Sequence, residues 1–177
     1  NTLGIEPTNT ANLAKKKKLN VVNKSLNLNI AKKILKKYSK FDFITAINIV
    51  AHTNNPDVIF KSIKILLKKN GILIIDVQYL YNLIANKGFD SFHHEHKSYF
   101  TLSSIIKILN NFNIFPFDAQ IVNVHGGILR VYAGLVKKPF NNNIKKILRK
   151  ENDKKIYQKI INLNLFRKNF NLRIKKL

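Results

Sequence analysis

The fold is decided by one stretch of the chain, FDFITAINIVAHTNNPDVIFKSIKILLKKNGILIIDV, at residues 41–77. Its two ends, Phe41 to Val50 and Gly71 to Val77, are apolar runs of the kind that form strands buried on both faces of a parallel sheet. Between them Asn55 is a favourable N-cap and Pro56 suits the first helical position, and apolar residues recur at helical spacing as far as Gly71. Strand, helix and strand in this order predict a βαβ unit.

The alternation of strands and helices extends upstream of this unit. Apolar spacing predicts, in order, the tip of a strand at Thr2 to Pro7, a helix at Ala11 to Lys18, a strand at Leu19 to Val22 and an amphipathic helix at Ile30 to Tyr38. We therefore predict an α/β chain with a doubly wound, mostly parallel sheet.

Downstream of residue 77 the pattern changes from helices to a pair of strands. Helices are predicted at Leu80 to Ala85 and, after a polar loop, at Leu102 to Asn111 behind the N-cap Thr101. The runs Asp118 to Val124 and Ile128 to Val136 predict two strands joined by a tight turn at 125–127. The sheet should thus end in an antiparallel hairpin, and helical spacing follows it from Asn141 to Leu177.

The composition excludes several classes of protein. The net charge of +23 comes almost entirely from lysines that alternate with Ile and Asn, as A/T-rich codons would produce, so we expect no nucleic-acid partner. With no cysteine, this stretch can form neither a disulfide framework nor a thiolate metal site. No apolar run is long enough to span a bilayer and no signal-peptide pattern is present, so we expect a cytoplasmic protein with no membrane partner. Nothing in the sequence specifies an oligomeric state.

The densest polar cluster lies in the loop before residue 100. His93, His94, Glu95 and His96 follow a predicted parallel strand, and loops at the carboxyl ends of such strands form the ligand crevice. Metal binding, a solvated surface loop and acid–base chemistry all fit this cluster; the last is favoured because imidazole titrates near neutral pH. His52 follows the strand Phe41 to Val50 and should lie at the same edge.

Two further positions are candidates for binding. Glu6 stands at the tip of the first predicted strand, where a carboxylate can accept hydrogen bonds from both ribose hydroxyls of a nucleoside cofactor. The glycine-rich turn that should precede it is absent from the sequence, as expected if the chain begins at the second strand of the fold. His125 lies in the predicted hairpin turn beside Gly126 and Gly127.

Five blocks of sequence, taken together and in this order, resemble the sugar C-methyltransferases that build branched deoxysugars. They are Gly4 to Pro7, Asn48 to His52, Leu66 to Gly71, Phe89-Asp90 leading into His94 to Phe100, and His125 to Ala133. The resemblance implies a Rossmann-like class I methyltransferase sheet that uses S-adenosylmethionine.

The resemblance also implies a division of the chain. Members of that family carry an N-terminal zinc-binding segment with cysteine ligands, a central cofactor domain and a C-terminal domain. The chain then corresponds to a fragment: residues 1–138 form the methyltransferase core without its first strand and glycine loop, and 139–177 the helical start of the C-terminal domain. Zinc would be bound only in the missing N-terminal segment.

The activity implied by the resemblance is methylation at C3 of a nucleotide-linked 4-keto-deoxysugar, through an enolate formed by proton removal. On the matching motif positions His96 is the base, Glu95 and His52 position the sugar or stabilise the enolate, Glu6 holds the cofactor ribose and Asn48 lines the cofactor pocket.

One of the expected substrate-binding residues departs from the family's pattern. His93, His94 and His125 are the expected substrate-binding residues, but the family usually has tyrosine where this chain has His93, so the histidine either replaces it as a donor or marks a changed contact. A class I methyltransferase with another small-molecule acceptor and a non-catalytic basic binding module are the alternative functions.

Overall fold

A computed structural model describes residues 2–86, 95–124 and 126–152, together with positions 158 and 162. These residues form six strands and six helices. In chain order they are β1 (Gly4–Ile5), α1 (Thr10–Lys16), β2 (Val21–Val22), α2 (Leu28–Tyr38), β3 (Phe41–Ile47), α3 (Pro56–Leu66), β4 (Leu67–Gln78), α4 (Leu80–Ala85), α5 (Leu102–Asn111), β5 (Phe115–Val122), β6 (Ile128–Gly134) and α6 (Asn142–Glu151).

The predicted βαβ unit forms around α3. The helix begins at Pro56, and the side-chain oxygen of Asn55 accepts a hydrogen bond from the backbone N–H of Val58 at 3.4 Å. β3 and β4 then pair in parallel, with Ile47 opposite Asp76. The carboxyl ends of the two strands therefore meet at one edge of the sheet.

The start of β4 differs from the prediction, which placed it at Gly71. The strand begins at Leu67, and its pairing register with β3 shifts between Phe41 and Phe43. At Gly71 a Cβ atom would lie 3.0 Å from the carbonyl oxygens of both Phe41 and Asp42 and 2.8 Å from Leu67 Cδ1. Glycine is therefore required by the close approach of two strands, and it does not mark a turn.

The predicted hairpin is confirmed: its first strand lies two to three residues earlier than predicted, and its second begins at Ile128 as predicted but ends at Gly134. β6 pairs antiparallel with both β4 and β5, so the strand order of this sheet is β3-β4-β6-β5. Because β5 and β4 both run antiparallel to β6, three of the four strands point the same way. Helix α6 packs on β5 and α5 and buries Ile144 and Ile147. Most of the predicted helical region beyond it lies outside the described residues.

The prediction that the strand at Phe41 is buried on both faces is wrong. β3 is an edge strand of its sheet, and Phe43 is 65% and Ile47 45% exposed. The strand also ends at Ile47 instead of Val50, because Asn48 adopts a left-handed backbone with φ 54°. The apolar run was long because Val50 belongs to the core beneath the turn, where it is 1% exposed.

β1 and β2 form a separate, two-stranded parallel sheet. Both sheets nevertheless pack on one layer of helices. Ala31 and Ile34 of α2 and Leu66 of α3 form a buried cluster, against which lie Leu3, Ile5 and Val22 from the small sheet and Phe41 and Ile44 from the large one. None of the helices in the described part of the chain has the length and apolar character needed to cross a membrane.

The close approach at Gly71 predicts a local loss of stability. Gly71→Ala should lower the free energy of unfolding by about 1–3 kcal/mol, because the methyl group meets backbone oxygens that cannot move independently. Urea denaturation measures this loss. The control Lys69→Ala alters an exposed side chain of the same segment and should change stability by less than about 0.5 kcal/mol. Equal effects of the two substitutions would contradict the packing argument.

Candidate active site

The candidate site lies at the edge where β3 and β4 end. Asn48 directly follows β3, is exposed, and donates its backbone N–H to the carbonyl oxygen of Asp76 at 3.0 Å. Its left-handed conformation turns the chain away from the sheet, and Val50 and Ala51 then enter the core. In open α/β sheets ligands bind at this edge, beyond the carboxyl ends of the strands.

Two histidines from distant parts of the sequence meet at this edge. The ring of His52, which follows β3, lies 4.7 Å from the ring of His96, centroid to centroid, at an interplanar angle of 55°. His52 Nδ1 is 3.1 Å from the backbone carbonyl oxygen of Glu95. Because a carbonyl oxygen can only accept, this contact assigns the proton of the neutral ring to Nδ1 and leaves a lone pair on Nε2.

Residues 95–101, which we call the histidine loop, are attached to the core at both ends. The backbone N–H groups of Lys97 and Ser98 donate to the carbonyl oxygen of Ala51, at 2.8 and 3.3 Å. At the other end Phe100 pairs with Tyr79 just beyond β4, and its carbonyl oxygen accepts from Leu80 at 2.9 Å. The loop is therefore held against the ends of both parallel strands.

Within the loop, Tyr99 supports the second histidine. Its ring stands edge to face with that of His96, with centroids 5.5 Å apart and planes at 89°. Both side chains are half-buried, whereas His52 is exposed. His96 is thus packed between His52 and Tyr99, an arrangement that limits its rotation and keeps it at the rim of the edge.

Of the remaining predicted site residues in these loops, the structure describes only Glu95. The contact of Glu95 with His52 is made by its backbone, and its side chain is exposed. His93, His94 and His125 lie outside the described residues. Among the residues that the structure does describe, no three histidine, aspartate or glutamate side chains come together as a metal-ligand set.

Glu6 lies at the carboxyl end of β1, as predicted. Its backbone N–H donates to Val22 at 3.1 Å, and its carboxylate accepts from the backbone N–H of Thr8 at 2.9 Å. Hydrogen bonds from the Thr8 side chain and backbone lower the pKa of Glu6, so the group remains a carboxylate at neutral pH. A carboxylate has further lone pairs with which to accept from hydroxyl groups.

Sequence reasoning missed an ion pair beside the site, in which the carboxylate is buried and the arginine side chain is 33% exposed. Asp76, near the end of β4, is 2% exposed and accepts two hydrogen bonds from Arg130 of β6, from Nε at 2.8 Å and from Nη2 at 2.7 Å. Asp76 is also the first cause of the raised pKa of Arg130. The signal was an acid in one apolar strand and an arginine in another, which pairing in register brings opposite each other.

The turn between β5 and β6 also reaches this edge. The carbonyl oxygen of Gly127 accepts from the backbone N–H of Tyr79 at 3.2 Å. Gly127 has a φ of 111°, and a Cβ atom there would collide with the side-chain amide of Asn82 in α4. Glycine at this position lets the turn lie directly against the end of β4.

Comparison with known sequences identifies two matches. Residues 2–114 match the profile of a family described as "Methyltransferase domain". C-methyltransferase NovU of Streptomyces niveus is 25% identical over 132 residues, which make up 74% of this chain and 31% of that protein. The chain therefore spans about a third of the length of this relative.

Solved structures show the same architecture. A SAM-dependent methyltransferase of Thermotoga maritima, described as a possible histamine N-methyltransferase, matches with a TM-score of 0.57 and 15% identity over 76% of this chain and 73% of its own. An S-adenosylmethionine-dependent methyltransferase of Clostridium acetobutylicum matches with a TM-score of 0.56 and 15% identity over 76% of this chain and 75% of its own. These similarities confirm the predicted fold, that of the class I methyltransferases.

The pair of Arg130 with the buried Asp76 predicts that two salt bridges of this chain differ widely in their contribution to stability. Arg130→Met should lower the free energy of unfolding by about 3 kcal/mol or more, because it leaves the Asp76 carboxylate buried without a partner. Lys68→Ala, which removes the exposed pair with Asp42, should cost at most about 1 kcal/mol. Urea denaturation measures both losses of stability. A small loss for Arg130→Met would show that Asp76 is solvated after the change.

Proposed function

Because the chain belongs to the methyltransferase domain family, we propose that it forms the core of an enzyme that transfers a methyl group from S-adenosylmethionine to a carbon atom of a ketone-bearing sugar. The observation that carries the proposal is the meeting of His52 and His96 at the carboxyl edge of the sheet, with His52 oriented by the Glu95 carbonyl. An oriented imidazole at a ligand crevice is suited to proton transfer.

The residues at the strand ends fit a nucleoside cofactor. Glu6 is a carboxylate at the tip of β1 and can accept hydrogen bonds from both ribose hydroxyls. Asn48 is exposed at the end of β3 and would line the cofactor side of the pocket. S-Adenosylmethionine, when bound, supplies a methyl group as an electrophile on its sulfonium sulfur.

The histidines supply the acid–base part of the reaction. A carbon next to a ketone is acidic because the carbanion left by proton removal is delocalised onto the carbonyl oxygen as an enolate. His96 would take that proton on an imidazole nitrogen, while packing against Tyr99 keeps its ring in place. Of the two roles predicted for His52 and Glu95, orienting the sugar fits this geometry, because the Nε2 lone pair of His52 and the Glu95 carboxylate can accept hydrogen bonds from sugar hydroxyls, whereas stabilising the negative oxygen of the enolate would need a donor.

The acceptor that we propose is C3 of a nucleotide-linked 4-keto-deoxysugar. Two observations support this choice. The five sequence blocks that resemble the sugar C-methyltransferases include the histidine loop and the turn at Gly126-Gly127, and the relative that matches 132 residues of this chain is named a C-methyltransferase. His93, His94 and His125 are the proposed sugar-binding residues.

We also propose the domain division that the sequence suggested. Residues 1–138 would form the methyltransferase core and 139–177 the start of a helical C-terminal domain. The core would be completed by one more strand between β1 and β3. The exposed Phe43 and Ile47 on the unpaired edge of β3, and the common helix layer beneath both sheets, support this place for it.

The assignment of the base predicts the effect of one substitution. His96→Gln should lower turnover about 10²- to 10⁴-fold, because glutamine cannot take up the proton. The measurement follows transfer of labelled methyl from S-adenosylmethionine to nucleotide-linked 4-keto sugars, catalysed by the natural polypeptide. Lys107→Ala, an exposed change on α5, is the control. Near-normal turnover of His96→Gln would refute its role as the base.

The cofactor assignment predicts a separate effect. Glu6→Gln keeps the shape of the side chain but removes the charge, so it should weaken S-adenosylmethionine binding by about tenfold or more. Calorimetry on the same natural polypeptide measures the dissociation constant. Asn12→Ala, at an exposed position of nearby α1, serves as the matched control. Unchanged affinity in Glu6→Gln would place the ribose elsewhere.

A further inference from the structure

We propose that Glu151, the last residue of α6, is a positioning residue that holds the histidine loop in place through the start of α5. The inference rests on the proposed function of that loop. Glu151 lies 49 residues beyond Leu102 in sequence, and its Oε1 accepts a hydrogen bond from the Leu102 backbone N–H at 2.6 Å. Its Oε2 accepts from the next N–H, that of Ser103, at 2.9 Å.

These two N–H groups belong to the first turn of α5, where a helix has no internal partners for its donors. The side chain of Thr101 accepts from the third, Ser104, at 3.2 Å. Glu151 and Thr101 together therefore satisfy three successive donors. A negative charge at this end is also favoured by the helix dipole, and the half-burial of Glu151 limits screening by solvent.

The start of α5 is directly continuous with the histidine loop. Only positions 97 to 101 separate His96 from Leu102, and these positions are tied at one end to Ala51 and at the other to Leu80. This connection is therefore too short to absorb a shift of the first turn of α5. Such a shift should be transmitted to the ring of His96 and to the carbonyl that orients His52.

The same carboxylate acts on the end of β4. Tyr79, which directly follows β4, is 2% exposed, so its hydroxyl is buried. Burial, followed by the negative charge of Glu151, raises the pKa of Tyr79. Glu151 thus lies close to both the start of α5 and Tyr79, the residue that pairs with Phe100. Through these two neighbours α6, a helix outside the sheet, is connected to the C-terminal end of the histidine loop.

The test uses Glu151→Ala and Glu151→Gln in the natural polypeptide, with Lys150→Ala, an exposed neighbour on α6, as the control. Glu151→Ala should speed hydrogen exchange of the Leu102 and Ser103 amides about tenfold or more. If Glu151 positions the loop, the Lys97 and Ser98 amides should also exchange faster. The imidazole nitrogen resonances of His52 and His96 should shift as well.

Glu151→Gln retains an acceptor oxygen without the charge, so its effects should fall between those of the wild type and Glu151→Ala. This variant decides the matter if the alanine variant does not fold. A change confined to Leu102 and Ser103, with the amides of the loop and both imidazoles unaffected, would show that Glu151 only caps α5 and would overturn the proposal.

Activity provides a second and separable readout. In the natural polypeptide, Glu151→Gln should lower kcat several-fold and leave the KM for S-adenosylmethionine unchanged, because the cofactor contacts lie on other elements. A parallel change in both constants would contradict positioning. If the wild type itself transfers no methyl group to the sugar ketones, the proposed function is wrong. The hydrogen-exchange and imidazole measurements still test, independently of it, whether the contact of Glu151 with α5 positions the loop.

Discussion

The parallel pairing of β3 with β4 is the constraint on which the rest of the structure depends. It brings the carboxyl ends of the two strands to one edge, so that the turn after β3 and the connection after β4 lie side by side. Ala51 then offers one carbonyl oxygen to two amides of the histidine loop. Without this pairing His52 and His96, which are 44 positions apart (96 − 52), would have no reason to meet.

A second consequence of the same sheet concerns charge. The insertion of β6 antiparallel to β4 places Arg130 opposite Asp76, two positions before the end of β4. Burying the carboxylate of such a bidentate pair costs desolvation energy, and the pair stabilises the fold only when its geometry is good. Here it joins the hairpin to β4, the strand that supports the histidine loop. The hairpin turn and the loop are therefore both attached to the same strand.

The unpaired edge of β3 gives the fold an asymmetry. On one side β3 pairs with β4, a central strand whose residues Leu73, Ile75 and Val77 are fully buried. On the other, Phe43 and Ile47 are exposed although their apolar character suits a covered strand. Glu6 follows a strand of the small sheet, whereas His52 and His96 meet beyond the ends of the large one.

The sequence by itself determined the element types and their order. Periodicity and caps act over a few residues, so α3 behind Asn55, α5 behind Thr101 and the hairpin strands could be predicted to within a few positions. The candidate histidines could be selected for the same reason, since a polar cluster after a strand is a local pattern. The burial of β3 could not, because exposure depends on which neighbour pairs with a strand and not on the strand's own composition.

Only the tertiary structure decided the contacts that give the site its chemistry. The tautomer of His52 depends on the backbone of Glu95, the need for glycine at position 71 on two carbonyl groups of β3, and the capping of α5 on a carboxylate that comes 49 residues later. Each is a contact between residues far apart in the chain. Local periodicity carries no information about such contacts, because they are set by register, crossing and packing once the elements have formed.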